Sequence, residues 1–148
     1  MDDPFKVLAS RLTIVNARSE VERAAVWLGN FCAQAALPED LTARLQVALD
    51  EVLSNIVNHA LAGTPEGHRK IRLQVRLYTS NLELEVTDDG PFFDPTGQRP
   101  VPQASRAAEH REGGVGLLFV RTLVDEIRFV RDGEINRLTL CKRLVGRP

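Results

Sequence analysis

The chain has 148 residues, 43% hydrophobic and 26% charged, a composition typical of a globular domain with its own core. Its 19 Lys and Arg and 20 Asp and Glu leave a net charge of −1, which excludes a global attraction to nucleic acid or anionic membranes. No window approaches the roughly 18 continuous apolar residues of a membrane helix, and the N-terminus lacks a signal-peptide pattern. The cysteines, Cys32 and Cys141, match no metal-ligand spacing and suit a reducing compartment. We therefore expect residues 1–148 to form a single cytoplasmic domain without direct nucleic-acid or membrane binding.

The first elements along the chain should be a strand and a helix. The segment KVLASRLTIV, residues 6–15, is rich in β-branched and aliphatic residues and predicts a strand. A helix should follow from Arg18 to about Ala36, with Asn16 or Ser19 as its N-cap. Its apolar residues recur at helical spacing: Val21, Ala24, Ala25, Leu28 and Phe31.

A second helix should contain Pro38 in its first turn and continue to about Leu61. Glu51, Asn55 and His59 form a polar stripe in it, recurring every fourth residue among leucine, valine and isoleucine. Because four-residue spacing advances about 40° around a helix, this stripe should border the core-facing side. An acid and an amide one turn apart can hold a hard cation against phosphate oxygens. The stripe also fits the polar edge of an ordinary amphipathic helix.

A β-hairpin should follow the second helix. KIRLQVRLY, residues 70–78, alternates apolar and polar side chains, and LELEV alternates again before the strand ends at Thr87. Asp88, Asp89 and Gly90 come next, and Gly90 permits a sharp backbone turn. A carboxylate at a strand end can accept a hydrogen bond from an adenine amino group. The same tripeptide is also typical of a simple turn.

A segment rich in Pro and Gly, residues 88–114, predicts a long functional or mobile loop. Gly113, Gly114 and Gly116 then lead into an apolar helix predicted over VGLLFVRTLVDE, residues 115–126. Small residues at a helix N-terminus let backbone N–H groups approach phosphates, although a flexible hinge has the same appearance. No Gly-Lys-Ser/Thr follows, which excludes a Walker A loop, and no parallel βαβ unit surrounds a dinucleotide fingerprint.

The last element should be a second hairpin, IRFVRDGEINRLTLCKRL, turning at Asp132-Gly133. The order is strand, two helices, hairpin, loop, helix and hairpin. This order predicts an α/β (α+β) two-layer sandwich with helices on one face of a mainly antiparallel sheet.

Three segments, taken in this order, resemble the N, G1 and G2 boxes of the GHKL superfamily: ALDEVLSNIVNHA, VTDDGPFFDP and GGVGL. Within that superfamily the chain is similar to the small anti-sigma-factor serine-protein kinases of bacterial partner-switching systems. The resemblance covers almost the whole chain. It implies a Bergerat ATP-binding fold, with ATP lying between the second helix and the sheet.

The resemblance also implies a role for each matching residue. Glu51 should be the general base for a substrate hydroxyl, and Asn55 should bind a Mg²⁺ ion that bridges the phosphates of ATP. Asp88 should read the adenine, and Gly90 should let the backbone pass the base. Thr139 should support Asp88, although an ordinary strand threonine fits its position equally well. The remaining cofactor contacts should come from Arg111, Gly113, Gly114, Val115, Gly116 and Leu117.

The implied activity is phosphorylation of a serine on a STAS-type anti-anti-sigma antagonist, by a protein that also sequesters a sigma factor and that could form a homodimer. Two departures leave an alternative open: Phe92 replaces the usual second glycine of the G1 box, and Glu112 stands where a basic residue often precedes the G2 glycines. The alternative is an ATP-binding but kinase-inactive module that sequesters its partner. A histidine-kinase catalytic domain is a third interpretation, which the lack of a dimerisation helix pair disfavours.

Overall fold

A computed structural model describes residues 6–60, 63–90 and 115–144. In these ranges five strands form one sheet in which every pairing is antiparallel. The predicted two-layer α/β fold is confirmed. The strands are β1 (Lys6–Val15), β2 (Lys70–Tyr78), β3 (Asn81–Asp88), β4 (Glu126–Asp132) and β5 (Ile135–Arg143). The helices are α1 (Arg18–Gln34), α2 (Glu39–Asn55), a π-helical turn that continues α2 (Ile56–Ala60) and α3 (Val115–Val120).

The sheet order is β1-β2-β3-β5-β4, so that the C-terminal hairpin lies beside β3. Alternation along β3 and β5 gives the sheet an inner face that packs against the helices. On this face Val86 lies opposite Leu138, and the next inner pair is Asp88 opposite Asn136. Polar side chains therefore interrupt an apolar surface at one end of β3. Both layers supply the core beside them: Leu28, Leu45, Leu49, Leu53, Leu73 and Leu84.

The outer face of the sheet is polar and holds a network of ion pairs. Arg76 donates to Glu83 at 3.0 Å and to Glu85 at 3.3 Å, and Arg128 donates to Glu83 at 3.1 Å. These contacts join β2, β3 and β4 through side chains that are partly shielded from water. Thr139 lies opposite both Glu85 and Arg128, and it is therefore part of this outer face.

The start of α1 differs from the predicted capping. Ala17 is the N-cap residue, and no side chain caps the helix from that position. Asn16 is buried, and its amide instead accepts a hydrogen bond from Arg69 N at 2.9 Å and donates one to Pro65 O at 3.2 Å. Ser19 lies within the helix. The predicted caps are wrong because Asn16 serves the chain before β2.

The end of α1 carries an unusual backbone conformation. Ala36 has a φ of 56°, in the left-handed region that glycine normally occupies. Ala36 N donates to Ala33 O and Leu37 N donates to Cys32 O, both at 3.0 Å. This pattern is the Schellman motif, which satisfies the last carbonyl groups of a helix. The helix ends two residues before the predicted Ala36 because the motif reverses the chain there.

Pro38 lies just outside α2 rather than in its first turn. Its ψ of 145° is extended, and its carbonyl accepts a hydrogen bond from Thr42 N at 3.0 Å. The helix predicted to reach Leu61 remains α-helical only to Asn55 and continues as the π-helical turn. This local change of helix type lies within the stripe that carries Glu51 and Asn55.

The C-terminal elements also differ in their limits from the prediction. The helix predicted over residues 115–126 ends at Val120, because Asp125 N already donates to Cys141 O at 2.9 Å and so joins the sheet. In the last hairpin Asp132 pairs with Ile135, which makes Gly133 and Glu134 the turn residues instead of Asp132 and Gly133. Gly133 has a φ of 62°, a conformation that glycine adopts without strain.

Candidate functional site

Asn55 is the last residue of α2, at the point where the helix changes from α to π geometry. Its side chain is buried, and its Nδ2 atom has no hydrogen-bond partner among the described residues. A buried amide without a partner costs about 1–3 kcal/mol, and such groups in native proteins commonly mark functional positions. Single π-helical turns within helices are likewise frequent at functional sites. Asn55 therefore combines two independent signs of a binding role.

Glu51 precedes Asn55 by one helical turn and lies on the same side of α2. It is half-buried and makes no hydrogen bond or ion pair with the described part of the chain. The carboxylate is therefore available to a proton donor or a cation. Asn58, which follows in the π-helical turn, is exposed, and nothing is described of the His59 side chain. The predicted polar stripe thus turns inward at Asn55.

Asp88 ends β3 on the inner face, in line with the buried Leu84 and Val86. It is only 4% exposed, although a carboxylate is rarely buried without partners. Its Oδ1 atom accepts hydrogen bonds from Gly90 N at 2.8 Å and from Asn136 Nδ2 at 3.2 Å. No described residue donates to Oδ2. Asp88 therefore has one oxygen held by the protein and one oxygen left as an acceptor.

Asn136 and Arg131 complete a hydrogen-bond network around Asp88. Asn136 Nδ2 also donates to Gly90 O at 3.2 Å, and Asn136 Oδ1 accepts from Arg131 Nη1 at 2.9 Å. Arg131 Nη1 donates to Gly90 O at 3.0 Å as well. The network connects β3, β4 and β5 at the polar end of the inner face. Neither Asn136 nor Arg131 is among the residues predicted from the sequence.

The structure does not bring Thr139 to Asp88. In the β3–β5 pairing the residue opposite Asp88 is Asn136, whereas Thr139 is opposite Glu85 on the outer face. Three residues along a strand correspond to about 10 Å and to a change of face. The prediction that Thr139 supports Asp88 is therefore corrected, and Asn136 has that position. An inward-facing Asn ahead of Leu138 and Leu140 is the sequence signal for it.

The neighbouring Asp89 is held outside the site. It is exposed, and its Oδ1 atom accepts a hydrogen bond from Arg69 Nη1 at 3.2 Å. The same Arg69 atom also donates to Asp89 O at 3.3 Å. These contacts anchor the end of β3 to the chain before β2, with Asp88 directed inward and Asp89 directed outward.

Several predicted positions lie outside the described residues: Phe92, Arg111, Glu112, Gly113 and Gly114. Val115, Gly116 and Leu117 form the start of α3, and nothing is described of their side chains. The predicted phosphate contacts of these residues stay predictions.

The described residues fit a magnesium nucleotide. Amide and carboxylate oxygens are hard ligands of the type that Mg²⁺ accepts. Because Asn55 Nδ2 has no partner among the described residues, the amide can rotate to present its oxygen without breaking a hydrogen bond of that nitrogen. No group of three or more His, Cys, Asp or Glu able to hold a metal occurs within the ranges described. Mg²⁺ is compatible with this small number of protein ligands, because it commonly keeps several bound waters and takes further oxygen ligands from substrate phosphates. Asp88 Oδ2 supplies an acceptor for an amino group of a base.

Comparison with known sequences identifies a family and named relatives. Residues 14–142 match the histidine kinase-like ATPase domain family. Serine-protein kinase RsbW of Listeria innocua is 28% identical over 109 residues, or 71% of this chain and 68% of that protein. Serine/threonine-protein kinase BtrW of Bordetella bronchiseptica is 31% identical over 114 residues, or 77% of this chain and 79% of that protein.

Two solved structures share the fold. The RsbU and RsbW domains of Rv1364c from Mycobacterium tuberculosis give a TM-score of 0.65 at 18% identity over 93% of this chain. This chain spans only 33% of that longer one. The SiaB-SiaC complex from Pseudomonas aeruginosa gives a TM-score of 0.59 at 15% identity, covering 95% of this chain and 91% of the matched chain. Among the described helices, none is both long and apolar enough to cross a bilayer.

Proposed function

The chain belongs to the histidine kinase-like ATPase domain family, and on that premise we propose that it is a Mg²⁺-ATP-dependent serine-protein kinase and anti-sigma factor. It sequesters a sigma factor and phosphorylates a serine on a STAS-type anti-anti-sigma antagonist. The names of its relatives support the kinase activity, since RsbW is a serine-protein kinase and BtrW a serine/threonine-protein kinase. The proposed location is the cytoplasm, where sigma factors act, and residues 1–148 are proposed to form one domain.

The observation that carries the proposal is the pair of buried polar residues on the two layers of the fold. Asn55 on α2 has an amide nitrogen without a partner, and Asp88 on the sheet has a carboxylate oxygen without a donor, both among the described residues. We assign Asp88 Oδ2 to the amino group of adenine and Asn55 Oδ1 to Mg²⁺. Asn136 takes the supporting role that the sequence assigned to Thr139.

Glu51 is the proposed base. Its half-buried carboxylate, one turn from Asn55, accepts the proton of the substrate serine as the serine oxygen attacks the γ-phosphorus. The bond from that phosphorus to the bridging oxygen breaks, and ADP leaves with the electron pair. Bound Mg²⁺ supplies neutralisation of phosphate charge. The chain contributes mainly positioning, which is what phosphoryl transfer requires.

The names of the relatives support a protein substrate, whereas the sigma factor and the homodimer rest on the resemblance of the sequence motifs. RsbW and BtrW are protein kinases, so their substrates are proteins, and the SiaB-SiaC structure is that of a two-protein complex. We propose a protein substrate of the STAS type, and, from the motif resemblance, a sigma factor as a second partner and self-association into a homodimer.

The test is phosphoryl transfer to purified STAS-type proteins encoded in the same genome. We expect transfer from γ-labelled ATP to one serine of one such protein, located by mass spectrometry. Glu51→Gln should lower the rate about 10²–10⁴-fold while ATP binding persists, because only proton transfer is lost. Tight ATP binding with no transfer to any STAS protein would contradict the kinase assignment and favour the kinase-inactive module. Equal loss of binding and transfer in Glu51→Gln would contradict the role of Glu51 as base.

A further inference from the structure

Arg131 on β4 donates hydrogen bonds to three described residues at the polar end of the inner face. Its Nη1 atom donates to Asn136 Oδ1 at 2.9 Å and to Gly90 O at 3.0 Å, and its Nε atom donates to Gly133 O at 3.0 Å. One side chain thus joins the end of β3, the start of β5 and the turn between β4 and β5. The Arg131 side chain therefore contacts both the hairpin turn and the two residues that hydrogen-bond to Asp88.

The contact with Arg131 determines the orientation of the Asn136 amide. A guanidinium carries donors only, so the amide atom beside it must be the oxygen. The other amide atom then faces Asp88 Oδ1 and Gly90 O, both at 3.2 Å, and both of these are acceptors. Nitrogen is the only atom that satisfies them. The contacts with Arg131, Asp88 and Gly90 therefore agree on one orientation of the Asn136 amide.

The fixed amide in turn orients the Asp88 carboxylate. Gly90 N and Asn136 Nδ2 both donate to Oδ1, so rotation of the carboxylate would break two hydrogen bonds. Oδ2 remains as the acceptor for a ligand. We propose that Arg131 is a positioning residue for base recognition: through Asn136 it holds Asp88 Oδ2 ready for the exocyclic amino group of a purine. This role rests on the proposed ATP site and gives that site its selectivity for an amino-substituted base.

A purely structural role for Arg131 explains these contacts less well. The hairpin is already closed by backbone pairing, in which Arg131 lies opposite Asn136 and Asp132 opposite Ile135. The other arginine of β4, Arg128, faces outward and pairs with Glu83. Arg128 therefore offers a matched control, since it has the same residue type and strand but no contact with the Asp88 network.

The experiment measures the affinities for ATP and for purine riboside triphosphate, which lacks only the amino group. Each nucleotide is titrated calorimetrically in the presence of Mg²⁺. We expect the wild type to prefer ATP by roughly tenfold to a hundredfold, the value of a hydrogen bond to a charged acceptor. Arg131→Met should retain the affinity for purine riboside triphosphate and lose most of the ATP preference. Arg128→Met should retain both. Asn136→Asp, which places a second carboxylate against Asp88, should lose the preference as well.

The outcomes distinguish a failure of the role of Arg131 from a failure of the ATP site itself. If Arg131→Met weakens both nucleotides equally, or keeps the full ATP preference, then Arg131 does not position Asp88 for the base and the inference is wrong. If the wild type binds neither nucleotide, the ATP site itself is wrong. Purine riboside triphosphate also reports folding, because a variant that binds it normally has an intact site.

Discussion

Asn136 Nδ2 lies 3.2 Å from Asp88 Oδ1, and the two residues face each other directly across the pairing of β3 with β5. Both side chains are buried at 4% exposure. A buried carboxylate with a fixed donor on one oxygen can read the hydrogen-bonding pattern of a ligand with the other. The register of β3 with β5 therefore places Asn136 where it can orient the carboxylate that is proposed to recognise the base.

Replacement of Asp88 by Asn should change the base that the site prefers. Gly90 N and Asn136 Nδ2 both donate to Oδ1, so an amide at position 88 keeps its oxygen there and presents its NH₂ group to the ligand. That NH₂ group would place a donor against the amino group of adenine, which is also a donor, but it could donate a hydrogen bond to O6 of guanine. We expect Asp88→Asn to lose at least about tenfold in ATP affinity and to gain relative affinity for GTP. Competition titrations measure both.

The control for Asp88→Asn is Asp89→Asn, which changes the exposed neighbour. Asp89 is paired with Arg69 outside the site, so the preference for ATP should persist. An unchanged ATP affinity in Asp88→Asn would mean that another group reads the base.

Replacement of Asn55 by Leu should stabilise the free protein and remove Mg²⁺-dependent ATP binding. The Nδ2 atom of Asn55 is buried without a partner among the described residues, so an apolar side chain of similar size avoids a desolvation cost. We expect the free energy of unfolding to rise by about 1 kcal/mol in urea titrations. Asn58→Leu, at an exposed position of the π-helical turn, should show neither effect. A loss of stability in Asn55→Leu would indicate a structural role for the amide.

Replacement of Ala36 by Gly should stabilise the protein without an effect on nucleotide binding. Ala36 holds a φ of 56° at the end of α1, where a Cβ atom is strained. Relief of that strain should raise the free energy of unfolding by about 1 kcal/mol. Ala35→Gly, at a φ of −83°, should give no gain. Equal effects of the two substitutions would argue against strain at Ala36.

Asp125 should contribute stability at neutral pH that is lost in acid. Arg143 N donates to its Oδ2 atom at 2.6 Å, and this backbone hydrogen bond, together with one from the Lys142 side-chain Nζ atom, lowers the pKa of the carboxyl. A lowered folded pKa means that the contribution is complete above the unfolded pKa of about 3.9 and disappears as pH falls through the folded value. Asp125→Asn should therefore be less stable than the wild type at pH 7, and the difference should shrink below about pH 4. A difference independent of pH would exclude this carboxylate as its source.

The strands and their faces follow from the sequence because burial on one face imposes a two-residue period. The predicted ranges 6–15 and 70–78 match β1 and β2 at both ends. The residue that supports Asp88 was not predicted from the sequence, because its identity depends on which distant strand lies beside β3. Alternation alone puts Leu138 and Leu140 inward and Thr139 outward, so the strand pattern could have excluded Thr139.

The α-to-π change at Asn55 did not follow from the sequence either. The π-helical turn covers Ile56 to Ala60, and the periodicity of these residues does not distinguish hydrogen bonds between residues five apart from those between residues four apart. The Asn16 contacts with Pro65 and Arg69 were missed for a related reason, since they join segments about 50 residues apart. Local sequence patterns predicted the helices and strands well. Contacts between distant elements could be identified only from the three-dimensional structure.

The nucleotide site is best tested by a crystal structure with Mg²⁺ and a non-hydrolysable ATP analogue. We expect adenine with its amino group within hydrogen-bond distance of Asp88 Oδ2 and Mg²⁺ on the amide oxygen of Asn55. We also expect the γ-phosphate within reach of a hydroxyl held by Glu51. A nucleotide bound elsewhere, or a base that does not contact Asp88, would show that this is not the ATP site.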